Sequence, residues 1–176
     1  MFKKGIIILN TGNGKGKTTA ALGTAFRALG HGFKVCIIQF IKGQGNYGER
    51  ITAAEKFSSD QLEWHIQGEG FTWNSKDLEK DKVTARQGFL LAKEKIISGV
   101  YDLIILDELT YLPNYNFLEV EEIVSVLKNK PDNLNIIITG RDAKQELIDI
   151  ADTVTEMNAV KHAYDNGIKA IKGMEF

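Results

Sequence analysis

Short apolar, β-branched runs alternate along this chain with longer stretches in which apolar residues recur at helical spacing. The runs span Gly5 to Asn10, Phe33 to Phe40, Leu62 to Ile66, Tyr101 to Leu106 and Leu134 to Thr139. Such alternation is the mark of a parallel sheet with helices packed on both faces. Between the first two runs, Ala21, Leu22, Ala25, Phe26 and Leu29 share one helical face, and Gly30-His31-Gly32 closes that helix. Residues 49–58, 77–98, 117–128 and 143–151 read as further helices. Thr153 to Met157 reads as a sixth strand, and the Asn-Gly pair in "YDNGIKAIKG" signals a turn, so a C-terminal hairpin or edge strand is expected. The pattern predicts one α/β domain over residues 1–176, with its chemistry where loops leave the carboxyl ends of the strands.

Composition narrows the class. At 176 residues, with 43 % apolar and 26 % charged positions and only two prolines (Pro113 and Pro131), the chain fits one ordinary core without a disordered linker. A formal net charge of -1 with no block of like charge weighs against a protein that grips nucleic acid through its phosphates. The single cysteine, Cys36, excludes an intrachain disulfide and reads as a small buried hydrophobe. The chain starts without a signal peptide, and no apolar run approaches the roughly 18 residues that span a bilayer, so no membrane role and a cytoplasmic location are expected.

Candidate chemistry begins behind the first strand. "TGNGKGKTTAALG" nearly matches the phosphate-loop pattern G-x-x-x-x-G-K-[ST], but the first glycine position holds Thr11 and the glycine sits one place later, at Gly12. A helix start preceded by glycines turns backbone N–H groups and the positive end of the helix dipole toward an anion. Gly12, Asn13, Gly14, Lys15, Gly16, Lys17, Thr18 and Thr19 are therefore the candidate nucleotide-binding residues. Lys17 supplies a point charge, Lys15 a second cation, and Thr18 a hydroxyl for Mg²⁺.

The metal's other ligand should be an acid at the end of another strand. "YDLIILDELTY" supplies Asp107 and Glu108, whereas Asp102 at the opposite end of that strand reads as structural. In "IIITGRD", Arg141 reaches the same rim, either to bind a phosphate or a negative group on a second substrate, or to pair with Asp142 or Asp107. In "GFTW", Phe71 and Trp73 occupy a glycine-flanked loop, where large aromatics usually pack on the core.

Taken with "GHG", "QFIKG", "GER", "ADTVTEM" and "VKHAYDNGIKA", these motifs appear in an order that resembles the CobA/BtuR family of ATP:corrinoid adenosyltransferases, over nearly the whole chain. The resemblance implies a RecA-like P-loop nucleotide-binding fold and transfer of the 5′-deoxyadenosyl group of ATP to the Co(I) of a corrinoid, with triphosphate leaving. The family's loop also reads T-G-N-G-K-G-K-T and holds ATP in the reverse direction, which accounts for the altered entrance.

By the same resemblance, Lys15 and Lys17 stabilise the leaving group, Thr18, Glu108 and nearby Asp107 hold Mg²⁺, and Arg141 matches a rim arginine. Phe71 and Trp73 match aromatics lining the lower face of the corrin, where removal of an axial ligand eases reduction of Co(II). A transient flavodoxin-type reductant and a homodimer are implied partners. Several relatives carry an extra N-terminal helix over the corrinoid; here the first strand begins near Gly5, so a neighbouring subunit would supply the cover or the site would stay more open. The rival readings are a RecA-like ATPase, a small-molecule kinase and a non-catalytic nucleotide-binding regulatory module.

Overall fold

A computed structural model describes residues 4–41, 43, 45, 47–68 and 78–175. Six strands, β1 (Ile7–Thr11), β2 (Val35–Phe40), β3 (Leu62–Gln67), β4 (Leu103–Asp107), β5 (Asn135–Thr139) and β6 (Thr153–Glu156), form one sheet in the order β3-β2-β4-β5-β1-β6. Every pairing is parallel. The helices are α1 (Lys17–Gly30), α2 (Gly48–Lys56), α3 (Leu78–Ile97), α4 (Tyr111–Asn114), α5 (Val120–Lys128) and α6 (Gln145–Ile150).

Strand parity explains why the central runs are apolar without alternation. Ile7, Leu9, Cys36, Ile38, Ile104, Leu106, Ile136 and Ile138 point to the face covered by α3, α5 and α6. The residues between them, including Val35, Ile37, Leu103, Ile105 and Ile137, meet Ala21 and Ala25 of α1 on the other face. Each such side chain is worth about 1.5–3 kcal/mol of burial, so both faces hold the sheet in register.

The expected alternation is present, with the differences at its ends. The helix read over 117–128 begins later, as α5 at Val120, and a short helix that the pattern did not predict, α4, precedes it, with Asn116 at φ 56 between the two. Thr153 to Glu156 is the sixth strand, an exposed parallel edge beside β1. The expected C-terminal hairpin does not form. Asn166-Gly167 ends a short 3₁₀ turn, Ala163–Asn166, with Gly167 at φ 75.

The parallel arrangement brings all carboxyl ends to one rim, and the chain leaves that rim sharply. Directly after β1, β2 and β4 come Gly12, Ile41 and Glu108 with φ of 91, 67 and 63, and Asp142 follows β5 closely at φ 49. Left-handed backbone at non-glycine residues, Ile41 above all, costs on the order of 1–3 kcal/mol and concentrates at functional sites.

Candidate functional site

β1 runs into the loop at residues 11–16, and α1 begins at Lys17 with Gly16 as its cap at φ 115. Asn13 through Thr19 line a cavity of about 1480 Å³ together with Glu108, Tyr111, Tyr115 and Arg141. The N-terminal end of α1, where backbone N–H groups have no partner within the helix, thus lines the cavity, as an anion site requires.

Lys17 is buried, and its ammonium donates to the carbonyls of Gly12 and Gly14, each at 2.6 Å. Burial lowers its pKa, against the raising influence of Glu108 and Asp107. Lys15, two residues away, behaves differently. Its ammonium meets Glu175 Oε2 at 2.9 Å and the Met174 carbonyl at 3.1 Å, so it ties the loop to the far end of the chain.

The loop's glycines have a second task that the sequence did not disclose. Gly14 N donates to the Met157 carbonyl at 2.5 Å, and a Cβ at Gly12 or Gly14 would lie 2.5 or 2.7 Å from that same oxygen. Only bare backbone lets the segment after β6 cross the loop this closely. His162, Tyr164 and Asp165 from this segment also line the cavity.

Asp107 ends β4 and is 1 % exposed. Its Oδ1 accepts from Thr18 Oγ1 at 2.9 Å and Thr139 Oγ1 at 2.6 Å, and its Oδ2 from Gln39 Nε2 at 2.9 Å. Thr139 also accepts from Glu108 N at 3.0 Å, which helps to fix the left-handed turn that carries Glu108 to the cavity wall. β5 lies between the phosphate-loop strand and the acidic strand, so Thr139 bridges the two halves.

The hydroxyl of Thr18 and the two carboxylates form a set of hard oxygen donors, which fits Mg²⁺, a cation that takes few protein ligands and keeps waters or phosphates for the rest. The described residues contain no group of three or more His, Cys, Asp or Glu that could hold a metal ion. Tyr111, whose phenol is pushed up to about 12 by burial and by Glu108, stacks on Tyr115 at 5.7 Å and 12°. These two rings carry no motif of their own, and only their position after the acidic pair pointed toward the site.

Arg141 is exposed on the cavity rim, and among the described residues it forms neither of the ion pairs considered for it, with Asp142 or Asp107. Asp102 is structural as expected, accepting from Lys34 N at 2.9 Å. Phe71 and Trp73 lie outside the described residues. No helix among the described residues is long and apolar enough to cross a membrane.

Comparison with known proteins meets this geometry. The family profile described as ATP:corrinoid adenosyltransferase BtuR/CobO/CobP matches residues 3–176. The corrinoid adenosyltransferase of Escherichia coli (strain K12) is 44% identical over 174 residues, covering 99% of this chain and 87% of the relative. The corrinoid adenosyltransferase CobA of Salmonella typhimurium is 42% identical over the same length, 99% of this chain and 87% of its own. A Sinorhizobium corrinoid adenosyltransferase is 43% identical over 175 residues, 99% and 81% of the two chains. The chain belongs to the ATP:corrinoid adenosyltransferase family.

Proposed function

We propose that this chain moves the 5′-deoxyadenosyl group of ATP onto the Co(I) of a corrinoid and releases triphosphate. Besides family membership, the observation that carries the reading is the cavity: the phosphate loop and the acidic strand open into one space of about 1480 Å³. A single small-molecule site usually occupies 300–1,000 Å³, so this one has room for a second, larger substrate beside the nucleotide.

In the reaction the electron pair of Co(I) attacks the 5′ carbon of ATP. The Co–C bond forms as the bond from C5′ to the α-phosphate oxygen breaks, and that electron pair leaves on the triphosphate. The protein's part is position, charge and exclusion of water. Backbone N–H groups of the loop and of the first turn of α1, other than that of Gly14, hold the phosphates. Lys17 and Lys15 meet the charge that grows on the leaving group, a contribution of roughly 3–4 kcal/mol for a well-placed donor.

Mg²⁺ would be held by Thr18 and Glu108 with Asp107 behind them, and when bound it neutralises phosphate charge. Arg141 takes a negative group of a substrate at the rim. Phe71 and Trp73 cover the lower face of the corrin, so that Co(II) sheds its axial ligand and accepts an electron from a flavodoxin-type partner. The enzyme works as a cytoplasmic homodimer of one-domain subunits.

The test is direct. Protein, MgATP and a chemically reduced corrinoid should together give the visible spectrum of a light-sensitive Co–C bond, at a rate proportional to enzyme. An unchanged corrinoid spectrum under these conditions would contradict the assignment.

A further inference from the structure

A primary amide inside an apolar strand needs a reason. Gln39 is the fifth residue of β2, "VCIIQF", and is only 2 % exposed. A buried amide without partners destabilises the fold, so it must be hydrogen-bonded. Both of its ends are used: Oε1 accepts from Trp64 Nε1 of β3 at 2.8 Å, and Nε2 donates to Asp107 Oδ2 at 2.9 Å. Gln39 and Asp107 are register partners on neighbouring strands, so the amide reaches the carboxylate sideways along the sheet.

The order of the two bonds follows from chemistry. An indole N–H can only donate, so the amide oxygen must face Trp64 and the NH₂ must face Asp107. The flipped amide would set oxygen against carboxylate oxygen and N–H against N–H. Trp64 therefore selects the orientation in which Gln39 supports Asp107. On its other oxygen, Asp107 takes the hydroxyl protons of Thr139 and Thr18, at 2.6 and 2.9 Å. A threonine hydroxyl has one proton and two lone pairs, so giving the proton to Asp107 leaves the lone pairs for an electrophile such as a hard cation.

We infer that Gln39 is a positioning residue of the nucleotide site: held in one orientation by Trp64, its amide fixes the Asp107 carboxylate, which in turn sets the hydroxyl of Thr18 for a phosphate-bound Mg²⁺. The relay runs β3, β2, β4, α1, from the half-buried edge of the sheet to the first turn of the phosphate-binding helix. It rests on the proposed function only for the identity of the ligand.

Calorimetric binding of ATP, with Mg²⁺ and with EDTA, tests the relay without turnover. The unaltered protein should bind ATP more tightly with Mg²⁺; no such difference would overturn the Mg²⁺–ATP reading and the relay with it. Where that difference is present, the variants address the relay alone. Gln39→Leu should weaken binding with Mg²⁺ roughly tenfold and leave binding in EDTA within about twofold, because a buried hydrogen bond to a charged group is lost. Trp64→Phe should weaken it by less, about two- to threefold, through occasional amide flips.

The double variant should bind no worse than Gln39→Leu alone, since Trp64 acts only through Gln39. Losses that add in the double variant, or that are equal with Mg²⁺ and with EDTA, would overturn the relay. NMR reports on the same link in the unliganded protein and separates it from misfolding. The Trp64 indole proton should exchange slowly with solvent, and Gln39→Leu should speed its exchange while the backbone amides of β2 and β4 keep their shifts. A rapidly exchanging Trp64 indole proton in the unaltered protein would also overturn the inference.

Discussion

Two lysines stand two residues apart in the phosphate loop and are held by different partners. Lys17 turns inward, buried against the carbonyls of Gly12 and Gly14 with Glu108 and Asp107 near enough to oppose the lowering of its pKa. Lys15 lines the same cavity, but its side chain is 46% exposed and pins Glu175 and Met174 of the C-terminal segment. The difference teaches that motif membership does not assign a role. The burial of each side chain and the partners that hold it do.

The largest expected effect comes from breaking the inward half. Lys17→Met should lower adenosyl transfer by at least 10²–10³-fold, the size seen when one well-placed charge donor is lost. Because the ammonium is desolvated in the folded state, melting temperature should stay level or rise. Turnover near that of the unaltered protein at saturating MgATP would remove Lys17 from the site. Glu108→Gln tests the acid facing that lysine: roughly ten times more Mg²⁺ should be needed for half-maximal rate, with the maximum less affected. An unchanged Mg²⁺ titration would move the metal elsewhere.

The exposed half should respond more weakly. An exposed ion pair is worth up to about 1 kcal/mol, so Lys15→Ala and Glu175→Gln should each open the segment after Met157 to protease no more than about fivefold faster. The two variants should resemble each other in that assay. If protease cleavage is unchanged by both, the pair does not pin the segment. Any further loss of turnover in Lys15→Ala alone measures its contact with the leaving triphosphate.

The smallest effect comes from a pair far from the cavity, which serves as a control. Glu63 of β3 meets Lys95 at 2.8 Å and His65 at 3.2 Å. Burial alone would raise the Glu63 pKa, but hydrogen bonds from Lys95, Tyr101 and His65 bring it from 4.5 down to about 2. The depressed value means its stabilisation is fully present above the unfolded pKa near 4.5 and is lost as pH falls toward 2. Melting temperature followed from pH 6 to pH 2 should therefore fall less steeply in Glu63→Gln, with MgATP binding at neutral pH unchanged. Parallel melting curves for the two proteins would remove this pair from the acid response.

Much of this was legible in advance. β-branched runs marked five strands because parallel strands are apolar on both faces, and the Gly-Lys-Thr of residues 16–18 marked the helix start because few other sequences suit such a turn. Thr153 to Glu156 was legible as a strand, although it is exposed throughout. The later start of α5 at Val120 was hidden because Phe117 and Leu118, buried just ahead of it, continue its apolar spacing. The pairing of Lys15 with Met174 and Glu175 depends on contacts about 160 positions apart in the chain, which no local pattern encodes. Gln39 did leave a trace, a polar residue in a run otherwise apolar, but its meaning required the two neighbours that only the sheet order supplies.

The proposed transfer attacks carbon, and not phosphorus. ATP labelled at the γ-phosphate and incubated with enzyme, Mg²⁺ and reduced corrinoid decides between them. Attack at carbon gives intact labelled triphosphate, one for each adenosylated corrinoid, and no reaction when the corrinoid is left out. Steady release of labelled orthophosphate without corrinoid would show that water is the nucleophile and would contradict the account.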